Sequence, residues 1–216
     1  MINKIIPTIF ALDTDTFEKK LKILEFCEEI HLDFMSGDFT SKSTVSFSDM
    51  KNVLKYPNTI FQVHLMAKNP IQYLKPIKLL NIKTVLIQEE VFDTTDDLSN
   101  CIHQFKDEGL DVFVVLNPAT NFNRVKSLFE LIDGIMLMSV VPGAEGQAFI
   151  ENTYNKVKEL KSMIVDSFPI QIDGGVTNLN SETLVNSGAQ NLCVGSYISS
   201  SEDPISNYQK LVNLIK

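Results

Sequence analysis

Residues 29–35 read EIHLDFM, a short apolar run that contains one of only three histidines in the chain. The run favours a buried β-strand, in which side chains alternate between the two faces. His31, Asp33 and Met35 therefore share one face. Residues 59–66, TIFQVHLM, repeat the arrangement, with a second histidine near the end of the run. The question is which fold brings the ends of two such strands together.

Runs of the same kind recur along the chain and alternate with segments of helical periodicity. The predicted strands are residues 4–11, 29–35, 59–66, 83–89, 111–117, 134–140, 169–175 and 191–198. Amphipathic segments that predict helices lie between them, at residues 16–27, 96–109, 154–164 and 181–188. Apolar strands separated by helices form parallel sheets, so eight such units predict an α/β protein with a closed (β/α)8 TIM barrel. An open, doubly wound sheet is the alternative.

Length and composition favour a single TIM-barrel domain over residues 1–216. No linker, charge block or low-complexity tract divides the chain, and 44% hydrophobic with 21% charged residues is an ordinary globular composition. The net charge of −8 argues against a nucleic acid or an anionic membrane as partner, because both bind clustered Lys and Arg. We expect a small ligand instead. If it is anionic, backbone amides, a helix terminus or a metal must bind it.

Cysteine usage and hydropathy indicate a cytoplasmic protein. Cys27, Cys101 and Cys193 are scattered and form no CxxC pair, which suits a reduced compartment. Residues 5–12, IIPTIFAL, are apolar, but Pro7 interrupts them and no small-residue cleavage site follows, so we expect no signal peptide. No stretch approaches the length of a membrane span, and no membrane partner is expected.

Polar residues stand at the ends of three predicted strands, in otherwise apolar surroundings. They are His31, Asp33, His64 and Asp173. In a closed barrel these ends form one rim, where the active sites of this fold lie. Two imidazoles and two carboxylates suit a divalent metal cation such as zinc, iron(II), manganese or cobalt. For each histidine alone, a hydrogen-bonded core residue is the alternative. His103 lies in a predicted outer helix, and we expect no functional role for it.

Glycines cluster in the loops that follow the last three predicted strands. The loops read PGAEGQ (142–147), DGG (173–175) and VGS (194–196). Glycine lets backbone amides approach an anion closely, and the loops after strands 7 and 8 often bind phosphate in this fold. Each loop alone could be a turn. Together on one rim they predict a phosphate pocket.

The chain resembles the ribulose-phosphate 3-epimerase family through several motifs in the same order, over nearly its whole length. The similar stretches, each with the family's version, are PTIFALD (7–13; PSILSAD), HLDFMSGDF (31–39; HVDVMDGHF), VHLM (63–66; HLM), LNPAT (116–120; identical), MSVVPGAEGQAFI (138–150; MSVNPGFGGQKFI), IDGGV (172–176; VDGGV) and VGSYISSSEDP (194–204; AGSAIFGSDDP). Several motifs in register are far more specific than any one of them.

The resemblance implies a TIM barrel that binds its metal through the four strand-end residues above. It also implies an isomerase that inverts C3 of a ketose phosphate, converting D-ribulose 5-phosphate to D-xylulose 5-phosphate, with Asp33 as base and Asp173 as acid. The substrate contacts that it implies, some of them shared with the metal or the phosphate pocket, are Thr8, His31, Met35, His64, Met66, Met138, Gly143, Gly146, Gly174, Gly175, Gly195 and Ser196. Barrel packing is the alternative for the methionines. Because the family often forms oligomers, a homo-oligomer is expected.

The chain departs from the family in the loop after the second strand and in the fourth strand. Ser36 and Asp38 replace the aspartate and the histidine of the family's MDGH, within residues 36–47, which we interpret as a lid. Gln88 stands where the family carries a histidine, so a titratable group is lost while hydrogen bonding is kept. Substrate discrimination could have changed with these residues.

A further departure lies beside the expected phosphate, where Ala144 and Glu145 replace an aromatic residue and a glycine. A carboxylate aimed at a phosphate costs on the order of 1 kcal/mol or more. Either Glu145 points outward, or the substrate is another phosphorylated sugar such as D-allulose 6-phosphate, or the sugar carries no phosphate. A catalytically impaired paralogue that only binds a sugar phosphate is a further alternative. A lyase or decarboxylase is disfavoured, because no lysine stands at a strand end for a Schiff base.

Overall fold

The computed structural model describes residues 3–216, in which eight parallel strands form a closed barrel in chain order. The strands are β1 (Lys4–Ile9), β2 (Glu29–Met35), β3 (Ile60–Met66), β4 (Thr84–Gln88), β5 (Asp111–Leu116), β6 (Gly134–Met138), β7 (Ile170–Asp173) and β8 (Asn191–Val194). β1 pairs with both β2 and β8, so the ring is closed and the open sheet is wrong. The predicted (β/α)8 TIM barrel is confirmed.

Helices surround the barrel, but they do not follow every strand. The α-helices are α1 (Thr14–Ile23), α2 (Leu74–Leu79), α3 (Thr95–Asp107), α4 (Thr153–Lys161), α5 (Ser181–Ser187), α6 (Ser196–Ser199) and α7 (Pro204–Leu214). Short 3-10 helices lie at Asp49–Lys55, Pro70–Tyr73, Glu89–Val91 and Lys126–Leu128. Between β2 and β3, and between β5 and β6, the connection contains only a 3-10 helix in the described part of the chain.

The predicted strand boundaries are wrong mainly at the C-terminal ends of the strands. The run predicted as a strand over 191–198 leaves the sheet after Val194, and residues from Ser196 form α6. A short apolar run does not by itself separate a strand from the first turn of a helix. In the same way, the helix predicted over 16–27 already ends at Ile23.

Each strand is buried on both faces, as in other parallel sheets covered by helices. Along β2, Leu32 and Phe34 face outward into the core between sheet and helices. A smaller apolar cluster fills the barrel and includes Ile6, Met136 and Cys193. The remaining inward-facing strand residues determine what else the barrel interior contains.

The register of the sheet places the polar strand ends at one level. Asp33 lies opposite His64 in the β2–β3 ladder, and Asp173 lies opposite Met138 in the β6–β7 ladder. Thr8 lies opposite His31. Over residues 3–216, none of the helices has the length and apolar character that crossing a membrane requires.

Candidate active site

Four side chains of the metal-binding type converge at the C-terminal end of the barrel. His31 and Asp33 extend from β2, His64 from β3 and Asp173 from β7. One ligand atom from each lies within 4.8 Å of the others. Both histidines are fully buried, and the two aspartates are 9% and 8% exposed. The structure thus brings together all four residues that the sequence singled out.

Several polar atoms of this cluster lack hydrogen-bond partners within the described residues. Oδ1 of Asp33 lies 3.4 Å from Nε2 of His31 and 3.4 Å from Nδ1 of His64, too far and too poorly aligned for a hydrogen bond. Nδ1 of His31 is also buried and unpaired. Buried polar atoms without partners are costly, and a divalent cation would bind one ring nitrogen of each histidine together with Oδ1 of Asp33. The donor set of two imidazoles and two carboxylates therefore fits a transition metal.

The protein separates the pKa values of the two carboxyl groups. Burial raises the pKa of Asp173 to about 7, and the negative charge of Asp33 adds to the rise. Burial acts on Asp33 in the same direction, but the adjacent His31 and His64 outweigh it and hold the pKa of Asp33 below its usual value. Burial also lowers the pKa of His64, which favours the neutral imidazole that a metal needs. Two carboxyl groups with such different pKa values suit an acid and a base.

Buried glutamines of the barrel strands lie beside and below the cluster. Nε2 of Gln88 donates to Nε2 of His64 at 2.8 Å, and both residues are fully buried. Below them, Nε2 of Gln171 donates to Oε1 of Gln62 at 3.2 Å and to Sγ of Cys193 at 3.1 Å. Sequence reasoning missed this polar layer. The signal was present, because the two glutamines of the layer precede His64 and Asp173 by two positions and so share their face.

A cavity of about 410 Å³ opens above the cluster. Of the residues predicted to contact substrate, those that line it are Thr8, Met66, Met138, Gly143, Gly146, Gly174, Gly175, Gly195 and Ser196, together with Asp33 and Asp173. His31, Met35 and His64 are buried and absent from the described lining. The three glycine-rich loops therefore do border one space, as the sequence predicted.

Comparison with known proteins assigns this barrel to a family. The model of the ribulose-phosphate 3-epimerase family matches residues 4–199. The chain belongs to the ribulose-phosphate 3-epimerase family. A chloroplastic ribulose-5-phosphate-3-epimerase from Arabidopsis thaliana is 29% identical over 91% of this chain and 72% of its own length. A ribulose-phosphate 3-epimerase from Bacillus subtilis is 28% identical over 93% and 94%.

Solved structures support the fold independently of the motifs. A 3-hexulose-6-phosphate synthase from Salmonella typhimurium superposes with a TM-score of 0.72 at 17% identity, and 98% of each chain is covered. KGPDC from Streptococcus mutans superposes with a TM-score of 0.74 at 11% identity, over 100% of this chain and 98% of the other. Membership in the ribulose-phosphate 3-epimerase family makes the protein an epimerase, an enzyme of the isomerase class.

Glu145, the residue at odds with the ribulose-phosphate 3-epimerase motif, does not point outward. Its side chain lines the cavity and forms an ion pair with Lys20, with Nζ 3.0 Å from Oε1 and 2.9 Å from Oε2. Of the three alternatives that the sequence left open, the outward-pointing Glu145 is therefore not the one that this structure shows. Sequence reasoning also missed Lys20. Its signal was a lysine in phase with the buried Phe17 and Leu21 of α1.

The loop at residues 36–47, interpreted as a lid, does not cover the cavity in this structure. Asp38 accepts hydrogen bonds from the Ser36 hydroxyl and from the backbone N–H of Lys68, which fixes the start of the loop to the end of β3. Thr40 packs against Gly143, with a side-chain carbon 3.6 Å from the point that a Cβ at Gly143 would occupy. The loop thus reaches the rim, but none of its residues belongs to the described cavity lining.

Proposed function

We propose that this epimerase acts on a ketose phosphate with a divalent metal bound, and that it interconverts D-ribulose 5-phosphate and D-xylulose 5-phosphate. One observation carries the proposal beyond family membership. Asp33 and Asp173 meet at the floor of one cavity, and their pKa values are displaced in opposite directions. Inversion of a carbon next to a carbonyl requires such a pair, because one group removes a proton and the other returns it to the opposite face.

Asp33 is the proposed base for D-ribulose 5-phosphate. Its lowered pKa keeps it ionised at neutral pH, and it is positioned to accept the proton from C3. Asp173 is the proposed acid, because its raised pKa of about 7 allows it to carry a proton. β2 and β7 are separated by β1 and β8, so the carboxyl groups approach the cavity from different sides. For D-xylulose 5-phosphate the two roles are exchanged.

His31, Asp33, His64 and Asp173 would hold the metal. When bound, a divalent cation supplies a positive charge that stabilises the developing enediolate, an effect worth several kcal/mol. The same charge would lower the pKa values of both carboxyl groups, so the proposed roles rest on the order of the two values, with Asp33 below Asp173, and not on the value of either. The histidines then act by binding and orientation, since both are buried and absent from the described lining of the cavity.

The remaining predicted contacts have proposed roles in positioning. Met66 and Met138 line the cavity near the floor and would pack against the flat intermediate. The hydroxyl of Thr8 is buried without a hydrogen-bond partner in the described structure, so it is available to a sugar hydroxyl. The glycine loops would present backbone amides to the phosphate, as the sequence predicted.

The test follows hydrogen exchange at C3 in deuterated water with metal-loaded protein. With the unsubstituted protein, either pentulose phosphate should incorporate deuterium from the solvent at C3. Asp173→Asn keeps the proposed base for D-ribulose 5-phosphate, so it should still exchange that substrate without inverting it. Asp33→Asn should exchange only D-xylulose 5-phosphate. Metal content is measured for each variant, and Asp15→Asn, on the exposed first turn of α1, serves as the control.

The outcomes separate the alternative functions. Equal exchange of both substrates by either aspartate variant would show that the acid and base are assigned wrongly. Exchange of D-allulose 6-phosphate but not of the pentulose phosphates would move the substrate to a hexulose phosphate. A metal-loaded protein that exchanges none of the three is a binding paralogue and not an epimerase.

A further inference from the structure

A buried lysine stands next to the cavity but outside the site described so far. Lys20 belongs to the apolar face of α1 and is only 8% exposed. Its Nζ donates to the backbone carbonyl of Phe10 at 2.9 Å and to both carboxylate oxygens of Glu145. Burial and the Phe10 carbonyl fix the ammonium group, so its position does not depend on Glu145 alone.

The partner of this lysine lies within the predicted phosphate pocket. Oε1 of Glu145 is 3.2 Å from the point that a Cβ at Gly195 would occupy. Both residues line the cavity, as does Ser196. The carboxylate is therefore beside the backbone that the sequence predicted to bind phosphate. A dianionic phosphate in this place would meet a like charge a few ångströms away.

The cavity has little other positive charge to offer. Its described lining contains no lysine and no arginine. Lys20 is not part of that lining, but its ammonium group contacts two residues that are, Phe10 and Glu145. Of the two partners in the ion pair, Glu145 has more freedom to move, because its side chain is 26% exposed, whereas that of Lys20 is 10% exposed. Gly143 and Gly146 flank it in the loop, so its side chain can turn towards solvent without moving α1.

We propose that Lys20 is a phosphate-binding residue of this enzyme and that Glu145 is an internal anion which the substrate phosphate displaces. The inference rests on the proposed function to the extent that the substrate carries a phosphate. On binding, the ammonium group of Lys20 exchanges one anionic partner for another and keeps its bond to the Phe10 carbonyl. A ligand must therefore bind Lys20 more strongly than Glu145 does. This requirement favours ligands that carry a dianionic phosphate.

Two other interpretations of the same ion pair make different predictions. If the pair only holds α1 to the loop after β6, the charge of Glu145 has no effect on phosphate binding. If Glu145 instead accepts a hydrogen bond from a hydroxyl of a sugar without phosphate, removing its charge weakens the binding of that sugar. Under displacement, removing the charge strengthens the binding of phosphate.

The experiment titrates metal-loaded protein with inorganic phosphate in a calorimeter. Glu145→Gln should bind phosphate about tenfold more tightly than the unsubstituted protein, because a like charge at short range is removed from a partly exposed site. Lys20→Met should bind it at least about tenfold more weakly, through loss of a buried cation. The exposed pair Lys22 and Glu25 on the same helix supplies the matched controls Lys22→Met and Glu25→Gln, which should leave the affinity unchanged.

A second measurement compares KM for D-ribulose 5-phosphate with KM for unphosphorylated D-ribulose in the same variants. Displacement predicts that Glu145→Gln lowers only the KM of the phosphate ester. Unchanged phosphate affinity in Glu145→Gln, or no phosphate binding in any variant, would overturn the inference, and neither outcome depends on whether Lys20→Met folds. If Glu145→Gln tightens phosphate binding but no ketose phosphate exchanges at C3, the proposed function fails and the phosphate site stands.

Discussion

Gln88 offers a direct test of how the barrel prepares His64 to bind a metal. In this structure Nε2 of Gln88 donates to Nε2 of His64, and Oε1 of Gln88 is buried without a partner within the described residues. A half-turn of the amide would place Oε1 against the same ring nitrogen. Oε1 would then accept from a protonated Nε2 and leave Nδ1, which faces Asp33, free to bind a cation.

Gln88→Leu should therefore weaken metal binding without changing the four ligands. It leaves the Nε2–H of His64 without an acceptor in a fully buried position, at a cost of about 1–3 kcal/mol. Loss of such an outer contact typically weakens metal affinity about 10- to 100-fold. Gln88→Glu keeps an acceptor at the same point and should retain the affinity. Gln104→Leu, on the exposed face of α3, is the control.

The assay is calorimetric titration of chelator-treated protein with Zn²⁺ and with Mn²⁺, and circular dichroism checks that each variant is folded. The decisive comparison is between Gln88→Leu and Gln88→Glu. If both variants bind metal as tightly as the unsubstituted protein, Gln88 does not set the tautomer of His64 and the reasoning is refuted. A parallel loss in both would assign Gln88 a packing role instead.

Three further predictions concern stability, each measured by urea unfolding. Burial lowers the pKa of Lys156 from its ordinary 10.5 to about 8, so between these two pH values the unfolded state binds more protons than the folded state. The free energy of unfolding should therefore rise with pH across this window. Lys156→Met should flatten this pH dependence. A Cβ at Gly134 would lie 2.4 Å from the ring of the buried Phe113, so Gly134→Ala should lose about 1–3 kcal/mol, and an unchanged midpoint would contradict the predicted overpacking. Asp13 accepts the backbone N–H of Thr16 at 2.8 Å as N-cap of α1, so Asp13→Ala should lose about 1 kcal/mol while Asp13→Asn keeps most of it.

Periodicity was sufficient to predict the ring of strands, because every strand of a TIM barrel is buried on both faces and stands out as an apolar run. It was insufficient for the connections. The predicted helices do not include Asp49–Lys55, which forms a 3-10 helix, and the residues that follow Gly195 turn into α6 although they continue an apolar run. Both differences arise from tertiary packing at the rim, which alternation along a strand does not encode.

The four ligand positions of the candidate site were predictable from the strands that carry them. His31 and Asp33 share a face by spacing, His64 and Asp173 stand at the ends of two other predicted strands, and the resemblance to the family added the roles of the two aspartates. The ion pair of Lys20 with Glu145 joins residues 125 positions apart, and the sequence indicates neither the rotation of α1 nor the direction of the carboxylate. The same limit applies to the subunit arrangement, so the homo-oligomer stays a prediction.

The pairing of β2 with β3 links the fold to the site. The ladder runs unbroken from Glu29 opposite Ile60 to Met35 opposite Met66 and sets Asp33 opposite His64. Because side chains alternate, a slip of one residue in β3 would turn the imidazole into the core around the barrel and an apolar side chain into the cavity. The apolar outer face therefore holds the polar inner face in register. Buried imidazoles and carboxylates without partners weaken a core, and a ligand that they bind in common explains why Asp33 and His64 stand opposite each other on adjacent strands.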